Sequence, residues 1–338
     1  MTAEPLMTRY RGLICDLDGV VYRGAAAVPG AIETLNDLIA DGVQVAFATN
    51  NASRPRDAVQ GHLRALGLRP GRWSAVTSAQ AAASYLSARL PPQTPVLAVG
   101  GAGVADALAD VALRPVRASE LTGTPVAAVV QGLGADVSWS ELAEVGYLVQ
   151  AGTTWVVTNL DLMLPTARGA APGNGALVAA VQSTTTAIPH VVGKPGPALF
   201  DLARSRLGTG PAATLVCGDR LDTDIAGANA AGLDSILVLS GAARLQDLAF
   251  APPAERPTYV ATGLTGLLQP PLRLRVEPTD HLEAGPDALL RPHSAGNRSV
   301  IQSVVAAAWA ACDQGRVVLS DRSTWHALEH HLGLTVEA

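Results

Sequence analysis

Apolar, strand-like segments alternate with amphipathic helical segments along most of this 338-residue chain. The first cycle runs from a predicted strand at 11–19 through a predicted helix at 28–42 to a second strand at 43–51. Strands that are connected through helices run parallel, because a tight hairpin turn joins only antiparallel strands. The pattern therefore predicts an α/β fold whose core is a doubly wound parallel sheet, covered by helices on both faces.

The alternation of strand-like and helical segments is interrupted by prolines after residue 270. Beyond that point we predict a short α/β appendage with a helix near 299–312, a strand at 316–320 and a closing helix. The segment is too short to hold a large core of its own. We therefore expect it to pack on the main body and to be dispensable for any chemistry.

Charge and composition exclude several classes of partner. The net charge is −5 and the chain has no run of lysine or arginine, which argues against nucleic-acid binding. No apolar stretch is long enough for a membrane helix, and residues 1–11 lack the apolar region of a signal peptide. Cys15, Cys217 and Cys312 have no metal-ligand spacing and suit a reducing compartment. We expect a cytoplasmic protein without membrane insertion.

Polar side chains follow three of the predicted strands, where an open α/β sheet binds its ligands, and one more lies at a predicted helix start. They are Asp16, Asp18, Thr49, Asn50, Asn51, Lys194, Asp219, Asp222 and Asp224. A single Mg²⁺ would offset the charge repulsion among so many carboxylates, and a bound phosphate would explain the hydroxyl group and the lysine. Calcium loops of the EF-hand type are excluded, because the twelfth residue counted from Asp16 or from Asp222 is not a glutamate.

The segments that carry these residues read DLDGV, TNN, GKP and GDRLDTDI, and they resemble the four motifs of the haloacid dehalogenase superfamily of phosphohydrolases. The resemblance covers residues 10–265. The insert between the second and third motifs is similar to the α/β cap of the subgroup that contains nucleotide, 4-nitrophenyl phosphate, phosphoglycolate and glycerol phosphate phosphatases. On this basis we predict a catalytic core of residues 1–78 and 174–269, a cap of residues 79–173 and an appendage of residues 270–338.

The resemblance implies a role for each motif residue. Asp16 would be the nucleophile that forms an aspartyl-phosphate, and Asp18 would protonate the leaving alcohol and then activate the hydrolytic water. Mg²⁺ would be held by Asp16, the backbone carbonyl of Asp18 and Asp219, with Asp224 in support. The residues expected to bind the phosphoryl group are Thr49, Asn50, Asn51 and Lys194.

These assignments favour an Mg²⁺-dependent phosphomonoesterase that acts on a small phosphorylated metabolite. The acid at Asp18 speeds breakdown of a phosphoenzyme, which favours a phosphatase, although a mutase could use the same pair. A phosphoaspartyl signalling switch and an inactive metabolite-binding scaffold are the rivals from other classes. Steady release of phosphate would separate all three.

The substrate prediction rests on the cap segment TNLDLMLPTARG, which carries Asn159 and Asp161. Both side chains could bond to substrate hydroxyl groups, while no aromatic platform for a ring is evident there. The alternative is that they only cap a turn. The segment favours glycerol 3-phosphate over phosphoglycolate or pyridoxal phosphate, and the cap is also a candidate surface for a homo-oligomer.

Two further patterns are weighed and rejected. The stretch GGAGVAD resembles a dinucleotide-binding fingerprint, but Asp106 occupies the position of the third glycine, so a turn in the cap is the better interpretation. HALEH, at 326–330, matches a zinc-protease pattern close to the C-terminus, where we predict an amphipathic surface helix instead.

Overall fold

The computed structural model describes residues 4–121, 125–166 and 168–271. Beyond residue 271 it describes residues 301, 305, 306, 308, 309, 312, 313, 325 and 329. No helix among these described residues is long and apolar enough to cross a membrane. The predicted strand at 316–320 lies outside the described residues.

The described strands are numbered in chain order. They are β1 (Gly12–Cys15), β2 (Tyr22–Arg23), β3 (Ala26–Ala27), β4 (Gln44–Thr49), β5 (Trp73–Thr77), β6 (Pro95–Val99), β7 (Arg114–Val116), β8 (Ala128–Gln131), β9 (Thr154–Val157), β10 (Met163–Thr166), β11 (Gly169–Pro172), β12 (His190–Val191), β13 (Thr214–Gly218), β14 (Asp234–Val238) and β15 (Tyr259–Ala261).

The described α-helices are numbered in the same way. They are α1 (Ala31–Ala40), α2 (Arg56–Ala65), α3 (Ser78–Ser87), α4 (Ala102–Asp110), α5 (Trp139–Gln150), α6 (Asn174–Gln182), α7 (Pro197–Leu207), α8 (Ala226–Ala230) and α9 (Leu245–Ala249). A π-helical turn at Leu221–Ile225 precedes α8 directly.

The chain divides into two compact units, of which the first joins Met1–Gln44 with Thr209–Ala338. Its strands β15, β14, β13 and β1 lie in that order and pair in parallel. Every residue of β1 and β13 is buried, as expected for parallel strands that are covered on both faces. Cys15 and Cys217 are register partners on these strands and are fully buried, as small hydrophobic residues are.

The C-terminal segment packs into the core of this first unit. Ile301, Val305, Trp309 and Trp325 belong to one buried cluster, which they share with β14 and α9. The described residues of the segment are helical. The expectation that the appendage packs on the main body is therefore confirmed for these residues.

The second unit, Val45–Gly208, contains the parallel pair β4–β5 and a five-stranded parallel sheet of order β12-β9-β8-β6-β7. Helix α5 begins with a capping box that Ser138 and Glu141 form, as the sequence pattern of a serine three residues before a glutamate predicts. The five-stranded sheet extends to β12, and Val178 and Val181 of α6 pack into its core. Both elements lie beyond residue 173, the expected end of the cap, and the division into core and cap stays a prediction.

The glycine-rich stretch after β6 packs against backbone. A Cβ atom on Gly101 would overlap Ser53, and one on Gly103 would overlap the carbonyl oxygens of Ala52 and Arg54. These glycines therefore let the start of α4 approach the loop at 52–54, which agrees with a structural role and explains the resemblance to a nucleotide fingerprint.

Candidate active site

Three carboxylates of the first unit converge beyond the carboxyl ends of its strands. Asp16 follows β1, Asp219 follows β13 and Asp224 lies in the π-helical turn. One oxygen from each lies within 4.8 Å of the others, and Asp219 and Asp224 are buried. We call these three residues the acidic cluster. Its donors are all oxygen atoms, as a hard cation such as Mg²⁺ requires.

Backbone hydrogen bonds set the position of each member of the acidic cluster. The amide of Asp16 donates to the carbonyl of Cys217 over 2.9 Å, which continues the β1–β13 pairing by one residue. The carboxylate of Asp224 accepts from the amide of Arg220 over 3.2 Å. The carboxylate of Asp219 accepts from the amide of Ala242 over 2.6 Å. Such fixed donors keep the carboxylates in place before any ligand arrives.

Two motif glycines make room for these carboxylates. Gly19 has a φ of +86°, and a Cβ atom there would overlap the carboxylate of Asp219. A Cβ atom on Gly218 would overlap the side chain of Asp224. The glycines of DLDG and of CGD are thus needed because an acid packs directly on the backbone at each site.

Asp18 lies in the tight turn that follows β1, where the amide of Gly19 donates to the carbonyl of Tyr22 over 2.8 Å. Its side chain is exposed, unlike those of the acidic cluster. An exposed carboxylate next to a cluster of acids can exchange protons with solvent, as a general acid–base residue must. Asp222 is also exposed and pairs with Arg220 over 2.7 Å, apart from the acidic cluster.

A second polar group lies in the second unit and centres on Asn50, directly after β4. The amide oxygen of Asn50 accepts from the backbone N–H of Lys194 over 2.7 Å. Its amide nitrogen donates to the carbonyl of Lys194 over 3.1 Å and to the carboxylate of Asp161 over 3.0 Å. Asn159 donates from its own side chain to the carbonyl of Asn50 over 2.7 Å. We call these four residues the Asn50 network.

Lys194 is 4% exposed, and its ammonium group donates to the carbonyl of Ala48 over 3.1 Å. A buried ammonium group is costly unless hydrogen bonds and negative charge surround it. The peptide bond from Lys194 to Pro195 is cis. The bonds from its backbone to Asn50 and from its ammonium group to Ala48 hold the lysine at both its backbone and its side chain.

The two remaining residues of TNN have separate contacts. The hydroxyl oxygen of Thr49 accepts from the amide of Asn51 over 3.1 Å, which leaves the hydroxyl hydrogen to donate to a ligand. The side-chain oxygen of Asn51 accepts from the amide and the hydroxyl of Ser53, over 2.9 and 2.7 Å. Asn51 thus forms a local turn, and its contact with substrate stays a prediction.

The sequence left two interpretations of Asn159 and Asp161, as caps of a turn or as groups that bind substrate hydroxyls. The side-chain oxygen of Asn159 accepts from the amide of Asp161 over 3.2 Å, which is a turn-capping contact. Asp161 itself is placed by Asn50 and carries the carboxylate that could meet a ligand. Asn159 thus forms a turn with Asp161, and contact of either side chain with substrate stays a prediction.

Sequence reasoning missed the loop at 240–243, which follows β14. Ser240 donates to the carbonyl of Gly19 over 3.1 Å, and the amide of Ala243 donates to the carbonyl of Asp219 over 3.0 Å. The available signal was the position of this loop after a strand of the predicted sheet. It was missed because most of its contribution comes from backbone amides, which residue types do not reveal.

Comparison with known proteins places this architecture in a family. Family models described as haloacid dehalogenase-like hydrolase and HAD-hydrolase-like match residues 13–114 and 191–267. The chain is 46% identical over 266 residues to a D-glycerol 3-phosphate phosphatase of Mycobacterium tuberculosis, covering 79% of this chain and 73% of that one. It is 33% identical to an acid sugar phosphatase of Staphylococcus aureus, covering 72% of this chain and 91% of the relative.

A solved structure of glycerol phosphate phosphatase from M. tuberculosis, in complex with magnesium, matches with a TM-score of 0.84 and 38% identity, covering 98% of this chain and all of that one. The predicted fold class, the phosphatase class and the Mg²⁺ cofactor are thereby confirmed. The chain belongs to the haloacid dehalogenase-like hydrolase family.

Proposed function

We propose that this phosphatase hydrolyses glycerol 3-phosphate to glycerol and phosphate through an aspartyl-phosphate on Asp16. The observation that carries the chemistry is the acidic cluster, in which three carboxylate oxygens lie within 4.8 Å of one another. The relative that acts on D-glycerol 3-phosphate, at 46% identity, supports the choice of substrate.

In the first step, a carboxylate oxygen of Asp16 attacks phosphorus, and the bond between phosphorus and the glycerol oxygen breaks. Asp18 gives its proton to the departing alkoxide, so that glycerol leaves as a neutral alcohol. Asp16, the backbone carbonyl of Asp18 and Asp219 would hold Mg²⁺, with Asp224 in support. The ion supplies positive charge that lets an anionic nucleophile approach an anionic phosphoryl group.

In the second step, Asp18 accepts a proton from a water molecule while the water oxygen attacks phosphorus. The bond between phosphorus and the Asp16 oxygen breaks, which releases inorganic phosphate and restores both carboxyl groups. The solvent exposure of Asp18 supports this role, because the hydrolytic water must reach its carboxylate.

We further propose that Thr49 and Lys194 bind oxygens of the same phosphoryl group, as the motif resemblance implies. Their contacts support this assignment, since Thr49 retains a donor hydrogen and Lys194 carries a buried, fixed ammonium group. Positive charge and hydroxyl donors stabilise the charge that builds on the phosphoryl oxygens in the transition state.

Asp161 is the residue that we propose to set the selectivity for the leaving group of the substrate. Its carboxylate is held by the amide of Asn50 at 3.0 Å, and a carboxylate accepts hydrogen bonds from polyol hydroxyl groups. It would repel the carboxylate of phosphoglycolate, which favours glycerol 3-phosphate between these two substrates.

The test is a steady-state phosphate-release panel in excess Mg²⁺. It contains glycerol 3-phosphate, phosphoglycolate, pyridoxal phosphate, nucleotides, sugar phosphates and 4-nitrophenyl phosphate. We expect glycerol 3-phosphate to give the highest kcat/KM among the metabolites. A higher value for any other metabolite would refute the substrate assignment, and a single turnover followed by a stable phosphoenzyme would indicate a signalling switch.

Location and assembly are also proposed. A cytoplasmic location is supported by the three cysteines, which all lie among the described residues and form no disulfide. Assembly of copies through the cap is supported by the exposed apolar residues Leu162 and Met163 at the start of the β10–β11 pair. Size-exclusion chromatography with light scattering, on the native chain and on Met163→Ser, would test it.

A further inference from the structure

The C-terminal segment contains an acid, Glu329, that is buried against helix α9 of the first unit. Glu329 is 6% exposed, which corrects the prediction of a surface helix at 326–330 for this residue. Its carboxylate oxygen accepts from the amide of Leu245, the first residue of α9, over 2.8 Å. The proposed reaction has no use for Glu329, so its burial calls for another explanation.

The short helix α9 continues directly from the loop that surrounds Asp219. In that loop the amide of Ala242 donates to the Asp219 carboxylate over 2.6 Å, and the amide of Ala243 donates to its carbonyl over 3.0 Å. A Cβ atom on Gly241 would overlap the same carboxylate. A small displacement of this loop would therefore move the donors that orient a proposed metal ligand.

The C-terminal segment holds α9 at more than one point. Besides the bond from Leu245 to Glu329, the indole N–H of Trp309 donates to the carbonyl of Leu248 over 2.8 Å. Helix α9 has only five residues, and a helix of that length has little stability of its own. Its position, and that of the loop before it, therefore depends on the segment that packs on it.

We propose that Glu329 is a positioning residue for the Mg²⁺ site, acting through α9 and the loop at 240–244 on Asp219. The inference rests on the proposed role of Asp219 as a metal ligand. Groups that orient metal ligands change metal affinity by about 10- to 100-fold when they are removed. Glu329 acts one step further away, so we expect Glu329→Ala to weaken metal binding by about tenfold, at the lower end of that range.

The test measures metal binding without turnover. Mn²⁺ prefers the same oxygen ligands as Mg²⁺, and the free ion is followed by electron paramagnetic resonance in a titration of the full chain, with Mg²⁺ as competitor. Glu329→Ala should raise the Kd for Mn²⁺ about tenfold. Glu329→Gln should stay close to the native value, because its amide oxygen can still accept from Leu245.

Asp313→Asn is the matched control from the same segment. Asp313 forms a two-point pair with Arg256, over 2.7 and 2.8 Å, and this partner lies outside the loop at 240–244. Its replacement should leave the Mn²⁺ affinity unchanged even if the melting temperature falls. A matched loss of affinity in Asp313→Asn would show that general destabilisation is the cause and would overturn the proposal.

Two outcomes separate this inference from the proposed function. If the native chain binds Mn²⁺ and Asp219→Ala does not, an unchanged Kd in Glu329→Ala refutes the positioning role alone. If Asp219→Ala binds as the native chain does, the proposed metal site itself is wrong. Should Glu329→Ala not fold, Trp309→Phe removes the N–H donor to Leu248 and reduces the ring that packs in the buried cluster. An unchanged Kd in that variant would count against the inference.

Discussion

The acidic cluster and the Asn50 network both follow parallel strands, but they are held by different means. In the acidic cluster, backbone amides donate to Asp219 and Asp224, and glycines bring the backbone against the two side chains. In the Asn50 network, one side-chain amide binds both sides of the Lys194 peptide and the carboxylate of Asp161. Loss of a carboxylate in the acidic cluster removes the acceptor of one backbone amide, whereas loss of the Asn50 side chain removes bonds to two other residues at once.

The largest expected effect is that of Asp16→Asn. The amide cannot attack phosphorus, so we expect kcat to fall by at least about a thousandfold. Because the backbone of Asp16 makes the pairing bond to Cys217, the variant should keep its fold, which circular dichroism and thermal unfolding would check. Substantial phosphate release by this variant would remove Asp16 as the nucleophile.

Removal of the metal should have a comparably large effect. A chelator should abolish phosphate release, and added Mg²⁺ should restore it, because three acids within 4.8 Å repel one another and a phosphate without a cation. Asp219→Ala should not be rescued at ordinary Mg²⁺ concentrations. Full turnover in metal-free buffer would contradict the assignment of the acidic cluster.

Asn50→Ala tests the contrast between the two clusters directly. It removes three side-chain hydrogen bonds, one of them to a carboxylate, and should lower the free energy of unfolding by about 2–4 kcal/mol. Urea denaturation measures this loss, and the KM for substrate should rise as Lys194 loses its support. Asn51→Ala is the neighbouring control, which loses only the local turn to Ser53 and should be the milder change.

The smallest expected effect on the chemistry is that of Asp161→Ala. We expect kcat/KM for glycerol 3-phosphate to fall by about tenfold, which is typical of one lost polar contact, while turnover of 4-nitrophenyl phosphate persists. The ratio of the two kcat/KM values is the measurement. An equal loss for both substrates would place Asp161 in general support of the Asn50 network rather than in selectivity.

The motif acids could be predicted because strand ends of a parallel sheet gather their side chains at one edge. Asp16, Asp219 and Asp224 were found in this way, and the structure brings these three together. The contacts of Asn50 could not be predicted, since they join residues 111 and 144 positions apart in the chain. The turn formed by Asn159 was one of two interpretations that local sequence left open.

The C-terminal segment shows the same limit more sharply. Its short length indicated that it packs on the main body, and Ile301, Val305 and Trp309 do so. No local pattern placed Glu329 on the amide of Leu245, which lies 84 positions away. Whether the appendage is dispensable for the chemistry stays a prediction, and truncation of the chain before the segment would test it. The proposed role of Glu329 predicts that the truncated chain binds the metal ion more weakly.

The sequence by itself determined the parallel α/β architecture and the candidate residues for the chemistry. Both follow from hydrophobic periodicity and from the position of polar residues after strands, which are local properties. Only the tertiary structure decided that Asn50 joins Lys194 to Asp161, and that the loop after β14 supplies the donors to Asp219. Those contacts form between distant segments, largely through backbone groups that every residue has, so residue identity alone does not specify them.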